Sequence, residues 1–340
     1  MSDIKIYDEN GYINVPEIAA RPSWLKVLIG ARQVGKTYGV LHYYLEQRER
    51  FMLLRRTTAE LQLIGSNSQL DPFRKFEPEY RVRLISSGGS YTITDYDDEG
   101  PVPGGERGVA MSLPQISHVR GFDGSLFNAV VFDEAIPEKG TRVLQTEGES
   151  LLNAYTTISG NRELEGRPPL TLWLLCNTNN INSRILDSLQ ITDDILYMRR
   201  KGLEFYEREG VSIFQGRSEV ITEKRKQTAL AKLIGEGSEF AAMAYGNEWS
   251  YDESPLIGQR SLKGYTPVCS YGDMYIWENA SGLYACRVQH KVERYKTGRY
   301  DTAQFIGNYR WIKMWYAERL VTFSDLRLLS IFKQIFGLDY

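Results

Sequence analysis

The sequence predicts an α/β protein with a mostly parallel sheet and helices on both faces, followed by a helical segment and a small α+β domain. Three observations support this prediction. Short apolar strands alternate with amphipathic helices over residues 1–200. A glycine-rich loop joins the first of these strands to a helix. After about residue 205 the alternation stops, and aromatic residues and short β-like runs become frequent beyond residue 250.

The elements of the first region follow from hydrophobic periodicity and from the residues that interrupt it. Residues 24–29 form an apolar strand that ends at Gly30, and Lys36 to Glu49 carries the apolar stripe of a helix. The next expected elements are a strand at Phe51–Leu54, helices at Thr57–Ile64 and Asp71–Phe76, a hairpin of Arg81–Ile85 with Tyr91–Thr94, a loop at Asp97–Arg107 and a strand at Val109–Leu113. The region closes with a strand at Phe127–Phe132, a helix at Thr146–Ser159, and strands at Leu170–Cys176 and Ile195–Met198.

The later region is predicted to contain a helical linker and a second domain. Thr222 to Ala244 has a polar-amphipathic helical pattern that Gly235 and Gly237 interrupt. Strands are expected at Met274–Trp277 and Leu283–Val288, and a helix at Ser324–Phe336. The predicted domain limits are 1–204, 205–248 and 249–340.

Composition excludes several classes of protein. With 340 residues, 42% of them hydrophobic and 25% charged, the chain is too long for one ordinary core and has the make-up of a globular protein. The three cysteines are an odd number without metal-ligand spacing, which favours a reducing compartment. We expect no signal peptide and no membrane span. The net charge of −2 argues against permanent, tight binding to nucleic acid. It does not argue against a motor that repeatedly releases and rebinds DNA.

A complete phosphate-binding pattern, G-x-x-x-x-G-K-[ST], occupies residues 30–37. An apolar strand precedes it and a helix follows it, which is the context that this pattern requires. Its glycines let backbone N–H groups curl around phosphates, while Lys36 reaches the β/γ oxygens and the Thr37 hydroxyl binds Mg²⁺. The sequence therefore predicts an ATP and Mg²⁺ site made by Gly30, Ala31, Arg32, Gln33, Val34, Gly35, Lys36 and Thr37.

Acidic and amide residues end two further apolar strands. Asp133 follows the run Ala129–Phe132 and is expected to hold the Mg²⁺ shell, and Glu134 beside it is the candidate base for the attacking water. Asn177 ends the strand at Leu170–Cys176. Ligands of open α/β sheets bind at this end, so Asn177 is a candidate for contact with the γ-phosphate, and equally for an ordinary turn residue.

At these residues the chain resembles the genome-packaging (encapsidation) ATPases of the small tailed phages of the phi-29 type. The resemblance covers about residues 24–235, with a looser likeness in layout to the C-terminus. The segments that carry it are Val27 to Thr37, Leu54-Arg55-Arg56, Val131-Phe132-Asp133-Glu134, Glu138-Lys139, Leu151-Leu152-Asn153, Asn161-Arg162-Glu163, Cys176-Asn177, Arg225-Lys226 and Leu233-Ile234-Gly235.

This resemblance implies a RecA-like ATPase core of the additional-strand (ASCE) kind, related to FtsK/HerA and terminase ATPases, and a vestigial RNase H-like C-terminal domain. It also implies an ATP hydrolase that works as a homomeric ring, a pentamer, on the portal (connector) of a procapsid. The resemblance implies that the motor moves double-stranded DNA, and it leaves open whether a scaffold RNA takes part. The implied location is the host cytoplasm and, transiently, the portal vertex.

The family's ring uses basic residues that act across the subunit boundary. Gly160 matches the position of the first of these arginines in the family. Arg162, two residues further on, is therefore the predicted arginine finger that acts on the neighbouring subunit. Arg120 matches a second basic position, and Arg142 is the third candidate. Within the phosphate loop and the acidic strand, Arg32 is the only arginine placed to act in its own subunit.

Alternative functions remain at this stage. One is a different P-loop enzyme, such as a nucleotide kinase or another ASCE DNA translocase or helicase. Another is a terminase large subunit with an active nuclease, and a third is an assembly protein that binds ATP without hydrolysing it. The pair Asp133-Glu134 favours hydrolysis. A two-metal nuclease needs several converging carboxylates, and beside Glu278 the sequence offers only the scattered Asp273, Asp301 and Asp325.

Overall fold

The computed structural model describes residues 4–31, 33–116, 124–137, 146–178, 181, 183–234 and 253–338. The chain divides into two compact units. The first is Met1–Glu138 with Leu144–Ser250, and the second is Lys139–Val143 with Tyr251–Tyr340.

The first unit contains strands and helices in alternation, as the sequence predicts. Its strands are β1 (Leu25–Ile29), β2 (Phe51–Arg55), β3 (Val82–Ser87), β4 (Ser90–Tyr96), β5 (Pro101–Ser112), β6 (Ala129–Asp133), β7 (Thr171–Cys176), β8 (Phe205–Arg208) and β9 (Val211–Gln215). Its helices are α1 (Val15–Ala19), α2 (Lys36–Glu46), α3 (Thr58–Ser66), α4 (Leu113–Ile116), α5 (Glu147–Ser159), α6 (Arg184–Ser188), α7 (Thr192–Lys201), α8 (Glu219–Lys226) and α9 (Ala229–Ile234), with a 3₁₀ helix at Pro72–Phe76.

These nine strands form one sheet in the order β3-β4-β5-β2-β6-β7-β1-β9-β8. The six strands from β5 to β9 in that order run parallel, and antiparallel hairpins close both edges. β1, β6 and nearly all of β7 are buried throughout, which explains their continuous apolar sequences. The order places β2, β6, β7 and β1 side by side, so their carboxyl ends meet at one edge of the sheet. The predicted α/β class is confirmed.

Three element predictions are wrong. Ile195–Met198 lies within α7 rather than in a strand, and acids in the first turn of that helix with cations in its last complement the helix dipole. The loop expected at Asp97–Arg107 joins β5 from Pro101 onward, where irregular pairing with β4 accommodates its glycines and prolines. Residues 205–215, expected to begin a helical linker, form the hairpin of β8 and β9 at the sheet edge, with Gly210 in its turn at φ +73°.

The core of the first unit lies between the sheet and the helices that cover it. Buried side chains from neighbouring strands, including Leu28, Leu53, Val131, Trp173 and Phe214, pack in one cluster with residues of α2. The Trp173 indole N–H donates to the Tyr44 hydroxyl at 2.8 Å, so the one polar atom of this ring is satisfied. This packing fixes the strand that carries the phosphate loop against the helix that follows it.

The second unit is a small α+β domain, as expected. Its strands are β10 (Thr266–Tyr271), β11 (Met274–Asn279), β12 (Gly282–Cys286), β13 (Glu293–Tyr295) and β14 (Val321–Phe323), and its helices are α10 (Arg299–Asn308), α11 (Arg310–Ala317) and α12 (Leu326–Phe336), with a 3₁₀ turn at Ser254–Leu256. The sheet order is β13-β10-β11-β12-β14. A buried pair of Lys333 and Glu253, with Nζ and Oε2 3.0 Å apart, links α12 to the start of the domain. The specific relation to RNase H folds stays a prediction.

Over the part of the chain that the structure describes, no helix has both the length and the apolar content needed to cross a membrane.

Candidate nucleotide site

The phosphate loop connects β1 to α2 in the predicted manner. Gly35 is the N-cap of α2 and has φ +84°, a left-handed conformation that glycine adopts without strain. Gln33 is also left-handed, at φ +64°. The loop therefore turns sharply and presents its backbone at the start of a helix, where N–H groups lack partners within the helix and attract anions.

Lys36 lies at the centre of this loop and is buried. Its ammonium donates to the carbonyl oxygens of Gly30 and Ala31, both at 2.8 Å, and to Asn177 Oδ1 at 3.1 Å. Asn177 directly follows β7, the strand beside β1. The structure thus brings two predicted site residues together through sheet order, although 141 positions separate them in the chain.

Thr37 and Asp133 also meet. The Thr37 hydroxyl donates to Asp133 Oδ1 at 2.8 Å, and the Asp133 side chain is almost fully buried. A hydroxyl and a carboxylate are oxygen ligands of the kind that Mg²⁺ takes, and Mg²⁺ commonly completes its shell with phosphate oxygens and water. These two residues fit the metal that the sequence predicts.

Glu134 follows Asp133 in a left-handed conformation at φ +56°. That side chain is 53% exposed, in contrast to the buried aspartate beside it. Its backbone N–H donates to Asp133 Oδ1 at 3.1 Å, which orients the aspartate. An exposed carboxylate next to an aspartate that is predicted to bind Mg²⁺ is suited to accept a proton from water.

Arg55 is a site residue that sequence reasoning missed. It ends β2, and its guanidinium lies 3.2 Å from Asp133 Oδ2 and 3.4 Å from Glu134 Oε2. Within the phosphate loop and the acidic strand, Arg32 is the one candidate that the sequence predicts. Arg55 comes from a different strand and is therefore not among the predicted residues. The available signal was the position of Arg55 directly after an apolar strand. The missing information was that β2 lies next to β6 in the sheet.

Arg56, the residue directly after β2, forms a buried ion pair. Its Nη1 lies 2.8 Å from Glu147 Oε1 at the start of α5, and its Nη2 lies 3.4 Å from Glu60 Oε1 in α3. Thr57 and Glu60 form a capping box that begins α3. The two adjacent arginines thus tie the end of β2 to the acidic residues on one side and to two helices on the other.

Cys176, next to Asn177, has no exposed surface. Burial raises the pKa of its thiol to about 12, against the opposing effect of the nearby Lys36 ammonium. The thiol therefore stays neutral at physiological pH and packs as a small apolar group in the floor of the site.

Arg162 lies away from these residues. It is only 4% exposed, and its Nη1 donates to the Phe127 carbonyl oxygen at 2.8 Å. Phe127 precedes β6, whereas Asp133 ends it, so this point is roughly 20 Å from the acidic pair at about 3.3 Å per residue. Burial lowers the pKa of Arg162, and Arg167 acts in the same direction. In its own subunit Arg162 thus lies at the opposite edge of the sheet from the nucleotide site.

The other arginines predicted to act on phosphates, Arg32, Arg120 and Arg142, lie outside the described residues. Their predicted roles stay predictions.

The carboxylates of the second unit do not converge. Arg287 pairs with Asp273 and lies 3.3 Å from Asp325 Oδ1, so a cation of the chain itself stands between these two acids. Asp301 accepts a hydrogen bond from the Lys296 backbone N–H at 2.7 Å. Across the described ranges, no group of three or more His, Cys, Asp or Glu side chains is arranged to hold a metal ion.

Comparisons with known proteins agree with this geometry. A family model for the podovirus DNA encapsidation protein (Gp16) matches residues 7–284. Among solved structures, the Phi-28 gp11 DNA packaging motor is similar at 16% identity with a TM-score of 0.60, over 97% of this chain and 99% of that one. The bacteriophage Phi-29 viral genome packaging motor assembly is similar at 19% identity with a TM-score of 0.58, over 96% and 98%. A comparison with curated proteins gives no match.

Proposed function

This chain belongs to the podovirus DNA encapsidation protein (Gp16) family, and on that premise we propose that it is the ATPase of a viral DNA-packaging motor. The observation that carries the catalytic part of the proposal is the bond between Thr37 Oγ1 and Asp133 Oδ1, 2.8 Å long. It brings the phosphate loop and the acidic strand to one point, 96 positions apart in the chain.

The residues of the site divide the work of hydrolysis among them. Lys36 exchanges its loop carbonyls for the β/γ-phosphate oxygens, and backbone N–H groups at the start of α2 bind the remaining phosphate oxygens. Thr37 and Asp133 hold Mg²⁺, which when bound neutralises charge on the phosphates. Glu134 orients the attacking water and accepts its proton. Asn177, whose side-chain oxygen accepts a hydrogen bond from Lys36, is the proposed contact for the γ-phosphate.

Arg55 controls the availability of Glu134 in this proposal. A carboxylate paired with a guanidinium is a weaker proton acceptor than a free one. While Arg55 binds Glu134, the base is held off the water, and release of that pair prepares the site for hydrolysis. The same guanidinium also lies 3.2 Å from Asp133 Oδ2, so release of Glu134 requires only a short movement of Arg55.

A second subunit completes the site. Phosphoryl transfer gains on the order of 10³ or more when an arginine neutralises the developing charge. Arg162, Arg120 and Arg142 are the proposed donors. For Arg162 to serve, the turn that follows α5 has to release it from the Phe127 carbonyl of its own subunit.

The proposed partners are double-stranded DNA, the portal of a procapsid and four further copies of the chain in a pentameric ring. The motor would work in the host cytoplasm while attached to the portal vertex. The runner-up function is that of another P-loop DNA translocase, and family membership disfavours it.

The test is ATP turnover by purified wild-type chain with double-stranded DNA, single-stranded DNA or a nucleoside acceptor. We expect stimulation by double-stranded DNA, and further stimulation by procapsids that carry a portal. Glu134→Gln should bind ATP and Mg²⁺ but lose turnover, because an amide cannot accept the proton of water. Glu149→Gln, which changes an acid on α5 outside the site, is the matched control and should keep full turnover.

Turnover by Glu134→Gln within a few fold of wild type would remove Glu134 from the role of base. Stimulation by single strands but not by duplex DNA would favour a helicase over a packaging motor.

A further inference from the structure

Beside the phosphate loop, a short loop near the N-terminus presents an exposed aromatic ring. This N-terminal loop comprises residues 7–13, and an antiparallel bridge between Tyr7 and Ile13 closes it. Asp8 fixes its interior, because its Oδ1 accepts from the backbone N–H of Asn10 at 2.9 Å and of Tyr12 at 2.8 Å. Tyr12 is therefore held in place by its backbone, while its side chain remains 47% exposed.

The N-terminal loop is attached directly to the phosphate loop. The Ile13 backbone N–H donates to the Val34 carbonyl at 3.0 Å. A Cβ atom added to Gly35 would lie 3.3 Å from Tyr12 Cδ1, so the ring lies against the glycine that begins α2. Val15 continues this packing onto Gly39, one turn further along the same helix.

A third segment packs against the N-terminal loop from the end of β9. The Tyr7 hydroxyl donates to the Gly216 carbonyl at 2.6 Å. A Cβ atom on Gly11 would lie 2.5 Å from the Ser218 hydroxyl, and Ile221 belongs to one apolar cluster with Tyr7 and with residues of the phosphate loop. Segments from three distant parts of the chain thus hold an aromatic ring at the start of α2.

We propose that the N-terminal loop is the base-binding site of this ATPase and that the nucleoside base stacks on Tyr12. The inference rests on the proposed function, since it requires a nucleoside triphosphate on the phosphate loop. In the proposed site the phosphates bind at the start of α2, and the Tyr12 ring lies against Gly35, the residue that begins that helix. Stacking on a ring uses the π-face that every base has, so it adds affinity without strong selection among bases.

The experiment compares two ligands, ATP and inorganic tripolyphosphate, that share a phosphate chain but differ in the base. Binding of each to the full chain in Mg²⁺ is measured by calorimetry for wild type, Tyr12→Ala and Tyr12→Phe. We expect Tyr12→Ala to bind ATP about tenfold more weakly than wild type, because one stacking contact between the base and an aromatic ring is lost. Its affinity for tripolyphosphate should equal that of wild type, and Tyr12→Phe should bind both ligands normally. Tyr300→Ala, a change at an exposed tyrosine of the second unit, is the control.

Several outcomes would overturn the proposal. An equal loss for both ligands in Tyr12→Ala would mean that the ring only supports the phosphate loop. Unchanged ATP affinity in that variant, or wild-type affinity no higher for ATP than for tripolyphosphate, would also remove the base site while leaving the phosphate site intact. Wild-type chain that binds neither ligand would overturn the proposed ATPase itself, and the base site with it.

Discussion

Replacing Arg162 by alanine tests how a buried arginine acts in this fold. The substitution removes the hydrogen bond from Nη1 to the Phe127 carbonyl, a bond from a charged donor of a kind that contributes roughly 1.5–3 kcal/mol. Relief of desolvation offsets part of this loss, because burial already disfavours the charged guanidinium. The net expectation is a loss of about 1–2 kcal/mol in the free energy of unfolding.

Thermal and urea unfolding of the full chain measure this change. For a unit of this size, about 1–2 kcal/mol corresponds to a decrease of roughly 3–6 °C in Tm. Arg167→Ala is a matched control, because Arg167 donates in the same way to the Ser125 carbonyl, at 2.7 Å, but from an exposed position. We expect a change within about 0.5 kcal/mol for that control. An Arg162→Ala variant as stable as Arg167→Ala would refute the argument from burial.

The same variant separates stability from a role in the neighbouring subunit. If Arg162 acts in trans, rings that mix Arg162→Ala with Glu134→Gln regain some ATP turnover. In such a ring an Arg162→Ala subunit keeps its own Glu134 and receives the arginine of a Glu134→Gln neighbour. If rings shown to be mixed have no ATP turnover, Arg162 does not act on the neighbouring subunit. Arg120 and Arg142 are then the next candidates.

Three further predictions concern the site and the second unit. Lys36→Ala should lose ATP affinity by at least about tenfold in calorimetry, because a charge-assisted contact with the phosphates is removed; normal binding would refute the site. Arg55→Ala should alter kcat more than KM, because it removes the guanidinium that pairs with Glu134; an equal effect on both constants would indicate general disruption. A DNA-nicking assay of the full chain with Mg²⁺ or Mn²⁺ should give no cleavage that depends on residues 250–340; nicking lost in Glu278→Ala would contradict this.

The sequence predicts the local structure around the candidate nucleotide site well because each part of that structure is encoded by a contiguous segment. The loop from Gly30 to Thr37 needs particular residues at fixed spacing, and its strand and helix flank it directly. Asp133 and Glu134 end a strand whose sequence is wholly apolar, as burial on both faces requires. The predicted strands at 24–29 and Leu170–Cys176 correspond closely to β1 and β7 for the same reason.

The features that the sequence did not predict depend on residues outside the segment concerned. Arg55 reaches Glu134 only because β2 lies beside β6, and sheet order is not written in either segment. Ile195 to Met198 is too short an apolar run to separate helix from strand, and the charges that decide for α7 lie outside it. Tyr12 is a similar case, because its place beside Gly35 follows from the packing of three separate segments.

The paired arginines at the end of β2 limit how this strand tolerates insertions and deletions. A shift of one residue in one direction would place Arg56 where Arg55 now meets the acidic pair, and Thr57, the cap of α3, where Arg56 now lies. A shift of one residue in the other direction would bring Leu54 to the acidic pair. This duplicated arginine therefore makes the site tolerant of a one-residue slip in one direction only, an asymmetry that single-residue insertions on either side of the pair would reveal.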